Sequence, residues 1–412
     1  MARPTQTSDP QDMAAKVPPQ TPAVDGIAYK ILAINPGSTS TKLALFAGEE
    51  CVREYEVPYP HKSGLQGEAF DREISRYVEA IKCFLAECGG IVPDAVVGRG
   101  GFLNRKHARV GTGVYEVASC RDGKVAVHED IVRGVCEFAE MDHASNLGIP
   151  IAARLARELN CPAFTVDPVV ADDFEPVARL SGYAPIERRS VAHVLSIRAV
   201  ARKAAAEIPR PLEKCSLVVA HLGGGITIAA VRGGRIIDNS IALLGEGPFT
   251  PQRAGTLPQQ PLIDLCYSGR FSKEELLREL TKRAGLMSYL GEDRLPEVER
   301  RIAGGDSQAE LALDAMAYQI AKEIGAMSIA VGGDAEAIVI SGGMARSKML
   351  VDKIKARVAR LAPVVVFPQS VEMEAMARGA LGVLRGQQEA KQYRSGLPKA
   401  TNAHDRSGAA TS

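Results

Sequence analysis

Residues 31–46 of the chain read Ile-Leu-Ala-Ile-Asn-Pro-Gly-Ser-Thr-Ser-Thr-Lys-Leu-Ala-Leu-Phe. Two apolar runs flank a turn of Asn, Pro, Gly and hydroxyl residues, a pattern that predicts a strand, a tight turn and a returning strand. Such a turn presents backbone N–H groups and hydroxyl donors to one point, as a phosphate requires. The stretch alone leaves a second interpretation open, a polar hairpin turn without a ligand, because turns favour these residue types anyway.

The same design returns later in the chain with different residues. Residues 216–231 read Ser-Leu-Val-Val-Ala-His-Leu-Gly-Gly-Gly-Ile-Thr-Ile-Ala-Ala-Val, and residues 337–344 form an apolar run that ends in a glycine pair. Two halves that each open with strand, turn and strand indicate an internally duplicated α/β protein. Because ligands of α/β sheets bind beyond the strand ends, we expect the three turns to face one nucleotide-phosphate cleft.

Apolar periodicity and turn residues divide the rest of the chain into helices and strands. Further strands are predicted near 52–57, 93–98, 161–168, 236–239 and 364–367. Helices are predicted over 71–88, 142–160, 191–207, 272–330 with breaks near 291 and 304–305, a segment that ends before Pro363, and 372–385. The expected domains are a disordered leader (1–26), a first domain (27–166 plus 375–387), a second domain (167–374) and a flexible tail (388–412).

Composition narrows the possible partners. A net charge of +1 over 412 residues argues against nucleic acid or an anionic membrane as the principal partner. The eight cysteines form no CxxC pair, which favours reduced thiols in a cytoplasmic protein over a metal site or a disulfide scaffold. The first 25 residues lack the apolar core of a secretory signal, and no apolar run is long enough to span a bilayer.

Several motifs in order resemble the acetate and butyrate kinase family, within the actin, sugar kinase and heat-shock ATPase superfamily, over residues 29–387. They are Ile-Asn-Pro-Gly-Ser-Thr-Ser-Thr-Lys (34–42), Val-Gly-Arg-Gly-Gly (97–101), His-Ala-Ser-Asn (143–146), Val-Asp-Pro-Val-Val (166–170), Ala-His-Leu-Gly-Gly-Gly-Ile (220–226), Gly-Glu-Gly-Pro-Phe (245–249) and Ala-Pro-Val-Val-Val-Phe-Pro (362–368). The butyrate branch is favoured, because acetate kinases carry Cys-Gly-Ser-Ser-Ser at the first turn and an Asn in the second glycine turn.

The resemblance implies two duplicated ribonuclease-H-like (actin-like ATPase) domains around an interdomain cleft. It implies reversible, ATP-dependent phosphorylation of a short-chain carboxylic acid, with butyrate first, to an acyl phosphate and ADP, with Mg²⁺ as cofactor. Branched-chain, propionate or acetate kinase activity stays open, as does a non-catalytic actin-like nucleotide-binding protein. The family also implies a homodimer or larger oligomer and a functional link to a phosphate acyltransferase. A Rossmann dehydrogenase is excluded because no GxGxxG follows a strand and opens a helix.

The resemblance also carries residue roles onto matching positions. Catalytic roles fall on Asp167, His193, Arg253 and Arg99. Phosphate and nucleotide contacts fall on Ser38, Ser40, Lys42, His221, Gly223, Gly224, Gly225, Gly342 and Gly343. Metal contacts fall on Asn35 and Glu372. The chain reads Gln-Arg-Ala-Gly-Thr at 252–256, where the family pattern is Glu-Arg-Ser-Gly-Gly, so the arginine is kept and its neighbours differ.

Structural interpretations compete with several of these roles. Lys42 fits an exposed strand residue, and Asp167 fits a turn-initiating Asp before a proline. His193 fits a packed helical histidine. Glu372 fits a first-turn glutamate favoured by the helix dipole, and Arg99 fits a structural ion pair.

Overall fold

The computed structural model describes residues 28–396 apart from 63, 106–108, 138, 140, 242 and 244, so the expected leader over 1–26 lies outside the described residues. The strands are β1 (Lys30–Pro36), β2 (Thr41–Ala47), β3 (Glu50–Val57), β4 (Ala95–Arg99), β5 (Val114–Arg121), β6 (Lys124–Val127), β7 (Ala163–Val166), β8 (Ser216–Leu222), β9 (Ile226–Arg232), β10 (Arg235–Asn239), β11 (Ala337–Ser341) and β12 (Val364–Phe367). The helices are α1 (Gly67–Glu87), α2 (Glu129–Cys136), α3 (Gly148–Leu159), α4 (Val194–Ala206), α5 (Gln259–Cys266), α6 (Lys273–Lys282), α7 (Leu286–Leu290), α8 (Leu295–Ala303), α9 (Ser307–Ala330), α10 (Lys348–Val358) and α11 (Glu372–Leu384).

The strands form two sheets with one shared topology. The first sheet has the order β3-β2-β1-β4-β7-β5-β6, and the second has the order β10-β9-β8-β11-β12. Each sheet begins with three antiparallel strands, β3-β2-β1 in the first and β10-β9-β8 in the second. Two further strands then run parallel to the last of these three, β4 and β7 beside β1, and β11 and β12 beside β8. The predicted duplicated, actin-like α/β fold is therefore confirmed, with the β5–β6 hairpin as an extension of the first sheet.

Each sheet is covered on both faces. Alternate residues of β1 enter different cores: Ile31 and Ala33 face a central core, while Leu32 and Ile34 face an outer core with α1 and α3. The second sheet divides likewise, and its outer core contains α9 and α10. The helices α4 and α11 lie in the central core and contact each other, so they join the two halves. Strands buried on both faces explain the long apolar runs in the sequence.

One backbone contact fixes how α3 sits on the first sheet. A Cβ placed on Gly98 would lie 2.1 Å from the carbonyl oxygen of Gly148, and a Cβ on Gly148 would lie 2.3 Å from the carbonyl oxygen of Arg99. The first turn of α3 therefore rests directly on the end of β4. Only glycines at both positions permit this approach.

The structure differs from the expected flexible tail over residues 388–396, which we call the C-terminal strap. Lys391 N–H donates to the carbonyl of Val114 over 2.8 Å, and its carbonyl accepts from Glu116 N–H over 2.9 Å. Tyr393 is buried, with its hydroxyl 2.7 Å from the carbonyl of Asn104. The strap thus extends the first sheet, whereas the expected tail over 397–412 lies outside the described residues.

Within the described residues, the structure contains no helix that combines the length and apolar character needed to cross a membrane.

We predict that Gly98→Ala lowers the free energy of unfolding by about 3 kcal/mol or more, because its methyl group would overlap the backbone of Gly148. Gly325→Ala is the matched control. Gly325 lies inside α9 with open space around its Cβ position, so this change should be neutral or stabilising by about 0.5–1 kcal/mol. Urea unfolding followed by circular dichroism compares the two variants. Equal stabilities would contradict the close contact between β4 and α3.

Candidate active site

Polar side chains collect where the parallel strands of both sheets end. In the first sheet Asn35 lies near the end of β1, Arg99 ends β4 and Asp167 directly follows β7. In the second sheet His221 lies near the end of β8, opposite Ser341 at the end of β11. Because carboxyl ends of parallel strands meet at one edge of a sheet, the topology brings these residues together.

Two adjoining cavities occupy this region. The larger, which we call the phosphate cleft, has a volume of about 510 Å³, and the smaller, the inner cavity, has about 170 Å³. The phosphate cleft is lined by Asn35, Gly37, Ser38, Thr39, Ser40, Lys42, Glu56, His221, Ser341, Gly342, Gly343, Arg346, Pro368, Gln369, Ser370, Val371 and Glu372. The inner cavity is lined by Asn35, Pro36, Arg99, Phe102, His143, Ser145, Val169, Val191, Ala192, His193, Leu243, Arg253 and Glu372. Asn35 and Glu372 line both, so the cavities meet at these two side chains.

Glu372 is held in place at this junction. Its Oε1 accepts a hydrogen bond from the Ser196 hydroxyl over 2.8 Å, and its Oε2 accepts from Ser370 and from the N–H of Val371. Burial alone would raise the pKa of this carboxyl. The charges of Arg99 and His221 oppose this effect, as do the hydrogen bonds from the two serine hydroxyls. Together they lower the pKa of Glu372 to about 2. Glu372 is therefore a fixed carboxylate at neutral pH.

Two guanidinium groups line the inner cavity, one buried and one partly buried. Arg99 is buried, and its NH1 has no hydrogen-bond partner among the described residues. Burial lowers the pKa of Arg99, while the charges of Glu372 and Asp167 oppose the shift. Burial also lowers the pKa of Arg253. A buried donor without a partner beside a cavity is expected where a ligand supplies the acceptor, and a guanidinium suits a carboxylate or a phosphoryl group.

Two histidines stand side by side across the cavities. His193 lines the inner cavity and His221 the phosphate cleft, and their ring centroids are 4.5 Å apart. The helix predicted over 191–207 begins at Val194, so His193 precedes the first turn of α4 and does not lie within it. Burial, more than neighbouring charges, lowers the pKa of His193 well below its usual value and that of His221 to about 4. Both rings are therefore neutral near pH 7.

The loop before α3 supplies residues to which the sequence analysis gives no role. His143 and Ser145 line the inner cavity together with Phe102. Asn146 Oδ1 accepts from the N–H of Phe102 over 2.8 Å, which binds this loop to the glycines after Arg99. Burial, together with the charges of Arg253 and Arg99, lowers the pKa of His143 to about 4. The motif His-Ala-Ser-Asn was visible in the sequence, but its position at the cavity was not.

Asp167 is buried and lines neither cavity. Its backbone is left-handed, with φ +45°, and its Oδ1 accepts from the N–H of Gly113 over 2.7 Å and from Arg198. Its Oδ2 has no hydrogen-bond partner among the described residues. The charge of Asp167 acts on the buried Arg99, but Asp167 is not part of either cavity wall, and its catalytic role stays a prediction.

The second glycine turn also lies apart from the two cavity walls. Gly223, Gly224 and Gly225 join β8 to β9 beside His221. The carbonyl of Gly224 accepts from the Thr250 hydroxyl over 2.9 Å, and the same hydroxyl oxygen accepts from the N–H of Arg253 over 3.1 Å. The turn therefore supports the loop that carries Arg253, and its contact with a nucleotide stays a prediction.

The donor set at the junction suits Mg²⁺ bound together with a nucleotide. Glu372 offers a fixed carboxylate and Asn35 an amide oxygen, and both face the two cavities. Within the described residues, no group of three or more His, Cys, Asp or Glu side chains could hold a metal ion. Mg²⁺ needs no such cage, because it is usually bound by one or two carboxylates with substrate phosphates.

Comparisons with known proteins agree with this geometry. Residues 184–372 match the sequence model of the acetokinase family. The fold matches the crystal structure of acetate kinase from Porphyromonas gingivalis with a TM-score of 0.68 and 18% identity, over 87% of this chain and 100% of that one. It also matches propionate kinase from Francisella tularensis with a TM-score of 0.64 and 19% identity, over 85% of this chain and 98% of that one. A third match is acetate kinase from Entamoeba histolytica, with a TM-score of 0.65 and 15% identity, over 85% of this chain and 98% of that one. The predicted family resemblance is confirmed over residues 184–372, and the structural matches show the fold. The butyrate branch stays a prediction.

We predict that His143 makes stability fall as the pH drops from about 6.5 to about 4. The pKa of His143 is lowered from 6.5 to about 4 in the folded protein, so the unfolded chain binds a proton in this range that the folded protein does not. The loss should approach about 3 kcal/mol at pH 4. His143→Gln removes this contribution, so the stability difference between the two proteins should change with pH over this window. Parallel curves of unfolding free energy against pH would contradict the prediction.

Proposed function

We propose that the whole chain is an acetokinase-family enzyme that transfers the γ-phosphoryl group of ATP to a short-chain carboxylate, with butyrate first. The products would be an acyl phosphate and ADP. The observation that carries the proposal is the meeting of the two cavities at Asn35 and Glu372, with Arg99 and Arg253 in the inner one. A phosphate cleft and a partly apolar cavity that share one junction provide for in-line transfer between two bound substrates.

Each cavity would hold one substrate. In the phosphate cleft, Ser38, Ser40 and Lys42 offer hydroxyl and ammonium donors to the nucleotide phosphates, and Gly343 lets the backbone approach them. In the inner cavity, the guanidinium groups of Arg99 and Arg253 would hold the carboxylate and the transferring phosphoryl group. Mg²⁺, when bound by Glu372 and Asn35, would neutralise charge on the phosphate oxygens.

The apolar part of the wall of the inner cavity favours an acid longer than acetate. Its apolar members are Pro36, Phe102, Val169, Val191, Ala192 and Leu243. Acetate has a single methyl group to bury against this wall, whereas butyrate has two additional methylenes. Each buried methylene stabilises a complex by about 0.8 kcal/mol, or about fourfold in binding.

The proposal includes a homodimer or larger oligomer. The surface around α5 is the proposed interface between its subunits. The helix carries apolar residues, but none of its side chains is buried. Ile263 is 52% exposed, and Tyr267, the residue that follows the helix, is 87% exposed. Apolar cavities of about 500 and 470 Å³ lie on either side and share Leu262 and Leu280. A second copy of the chain would cover this surface.

The cellular setting is proposed from the chemistry. All eight cysteines are free thiols, as in proteins of the cytoplasm, where ATP is available. An acyl phosphate hydrolyses readily, so an enzyme that makes or consumes it, such as a phosphate acyltransferase, is the expected functional partner.

We predict acid-dependent formation of an acyl phosphate when the protein is incubated with ATP, Mg²⁺ and a series of C2–C6 acids. Hydroxylamine traps the product as a coloured hydroxamate, and a coupled assay reports ADP. From acetate to butyrate, kcat/KM should rise by about fourfold per methylene. No hydroxamate with any acid would disprove the proposal. Tight ATP binding without acid-dependent ADP release would favour the non-catalytic nucleotide-binding alternative.

Variants of the apolar wall test the chain-length preference within the same assay. Ala192→Leu should fill part of the inner cavity and shift the preference towards acetate, whereas Val169→Ala should enlarge it and favour longer acids. If both variants kept the wild-type order of acids, the inner cavity would not be the acyl site.

We predict that light scattering gives a mass at least twice that of one chain, and that Tyr267→Asp reduces it to the mass of a monomer. Val177→Asp is the control, because Val177 is 75% exposed and lines neither of the two apolar cavities beside α5. A monomeric wild-type protein, or a Tyr267→Asp variant that keeps the oligomer, would rule out this interface.

A further inference from the structure

Each histidine of the pair is bonded to a hydroxyl group from a neighbouring strand. Thr227 of β9 is fully buried, and its Oγ1 lies 2.9 Å from Nδ1 of His193. Ser341 of β11 is 1% exposed, and its Oγ lies 3.3 Å from Nδ1 of His221. Nδ1 is therefore engaged in both rings, and Nε2 is the only ring nitrogen that a bound ligand can meet.

The surroundings of Thr227 decide which atom donates. Among the described residues, its hydroxyl has no hydrogen-bond partner other than His193, and solvent does not reach it. If Nδ1 carried the hydrogen, the threonine O–H would point at no acceptor, and a buried unsatisfied donor is costly. The hydroxyl must therefore donate to Nδ1, which leaves the hydrogen of a neutral imidazole on Nε2. The corresponding bond between Ser341 and His221 lies at the wall of the phosphate cleft, and we infer the same donor there from its likeness to the bond of Thr227.

We propose that Thr227 and Ser341 are positioning residues that hold His193 and His221 as neutral tautomers with the hydrogen on Nε2. The role in catalysis rests on the proposed function, because it concerns the phosphoryl group that would pass between the cavities. The tautomer itself depends only on the contacts within the protein.

This tautomer gives the site donors without further positive charge. His193 and His221 line the two cavities, so their Nε2–H groups would donate to the oxygens of a phosphoryl group that passes from the cleft to the inner cavity. The other tautomer would turn a nitrogen lone pair towards anionic oxygens and repel them. Arg99 and Arg253 already supply the cationic charge beside His193, so neutral rings avoid a third and fourth buried cation.

The assignment also excludes one chemical role for the two rings. A nitrogen that carries hydrogen has no free lone pair in the ring plane, so Nε2 cannot attack phosphorus. Nδ1 has a lone pair, but the hydroxyl hydrogen occupies it. Neither ring nitrogen is therefore available as a phosphoryl acceptor, which agrees with the in-line transfer of the proposed function.

Nitrogen-15 NMR of the full chain labelled at histidine tests the tautomers without any substrate. Spectra at pH 7 should show His193 and His221 with protonated Nε2 and unprotonated Nδ1, with each signal assigned from its loss in His193→Asn or His221→Asn. Thr227→Val should remove the preference at His193, and Thr227→Ser should restore it. A hydrogen on Nδ1 of His193 in the wild-type protein would overturn the proposal, whatever the protein phosphorylates.

Kinetics test the consequence for transfer. In Thr227→Val, kcat should fall on the order of tenfold to a hundredfold, the scale seen when a partner that orients a functional histidine is removed, while KM for ATP changes less than twofold. Thr227→Ser should recover most of the lost rate. Ser341→Ala should also lower kcat. Ser328→Ala is the matched control and should leave kcat unchanged, because Ser328 is a buried serine of α9 whose hydroxyl donates to the carbonyl of Ile324. An unchanged kcat in Thr227→Val would overturn the positioning role. If no acid of the C2–C6 series gave an acyl phosphate, the proposed function would be rejected, but the tautomers found by NMR would still stand.

Discussion

The active-site region depends on one steric constraint, the direct contact between the backbones of Gly98 and Gly148. With no side chain between them, α3 begins against the last residues of β4, and Arg99 is buried under the turn that precedes the helix. That turn brings His143 and Ser145 to the inner cavity, while Asn146 holds the glycines that follow Arg99. A single methyl group at either glycine would separate the strand from the helix and open the cavity between them.

The close packing also desolvates Arg99 beside the inner cavity. Burial lowers the pKa of its guanidinium, and the charges of Glu372 and Asp167 oppose that shift. Glu372 is itself fixed by hydrogen bonds from Ser196 and Ser370. Because NH1 of Arg99 has no hydrogen-bond partner among the described residues, an anionic ligand would supply the missing acceptor. The site is thus organised for negative charge before any ligand arrives, which is the arrangement that electrostatic catalysis of phosphoryl transfer requires.

The sequence was most informative where local chemistry determines structure. The phosphate turn at 35–42, the glycine turns and the duplicated strand order follow from apolar periodicity and turn residues. The β5–β6 hairpin was absent from the prediction although its signal is present, because Asp122-Gly123 joins two β-prone runs and both residues are left-handed. The walls of the inner cavity come from segments that are far apart in sequence, so no local pattern indicates that Phe102 or His143 faces a ligand. The strap is polar in composition, and only Tyr393 hints that it packs.

The strap and α11 also determine the order in which the protein can be assembled during synthesis. The first sheet is translated early, but its central core contains α11 and its edge pairs with Lys391. These segments leave the ribosome after both sheets have been made. The second sheet and its outer helices, by contrast, lie in one continuous stretch of chain and can close before translation ends. The half of the protein that is made first is therefore completed after the other half, and a nascent chain must keep an apolar face of the first sheet uncovered until α11 and the strap emerge.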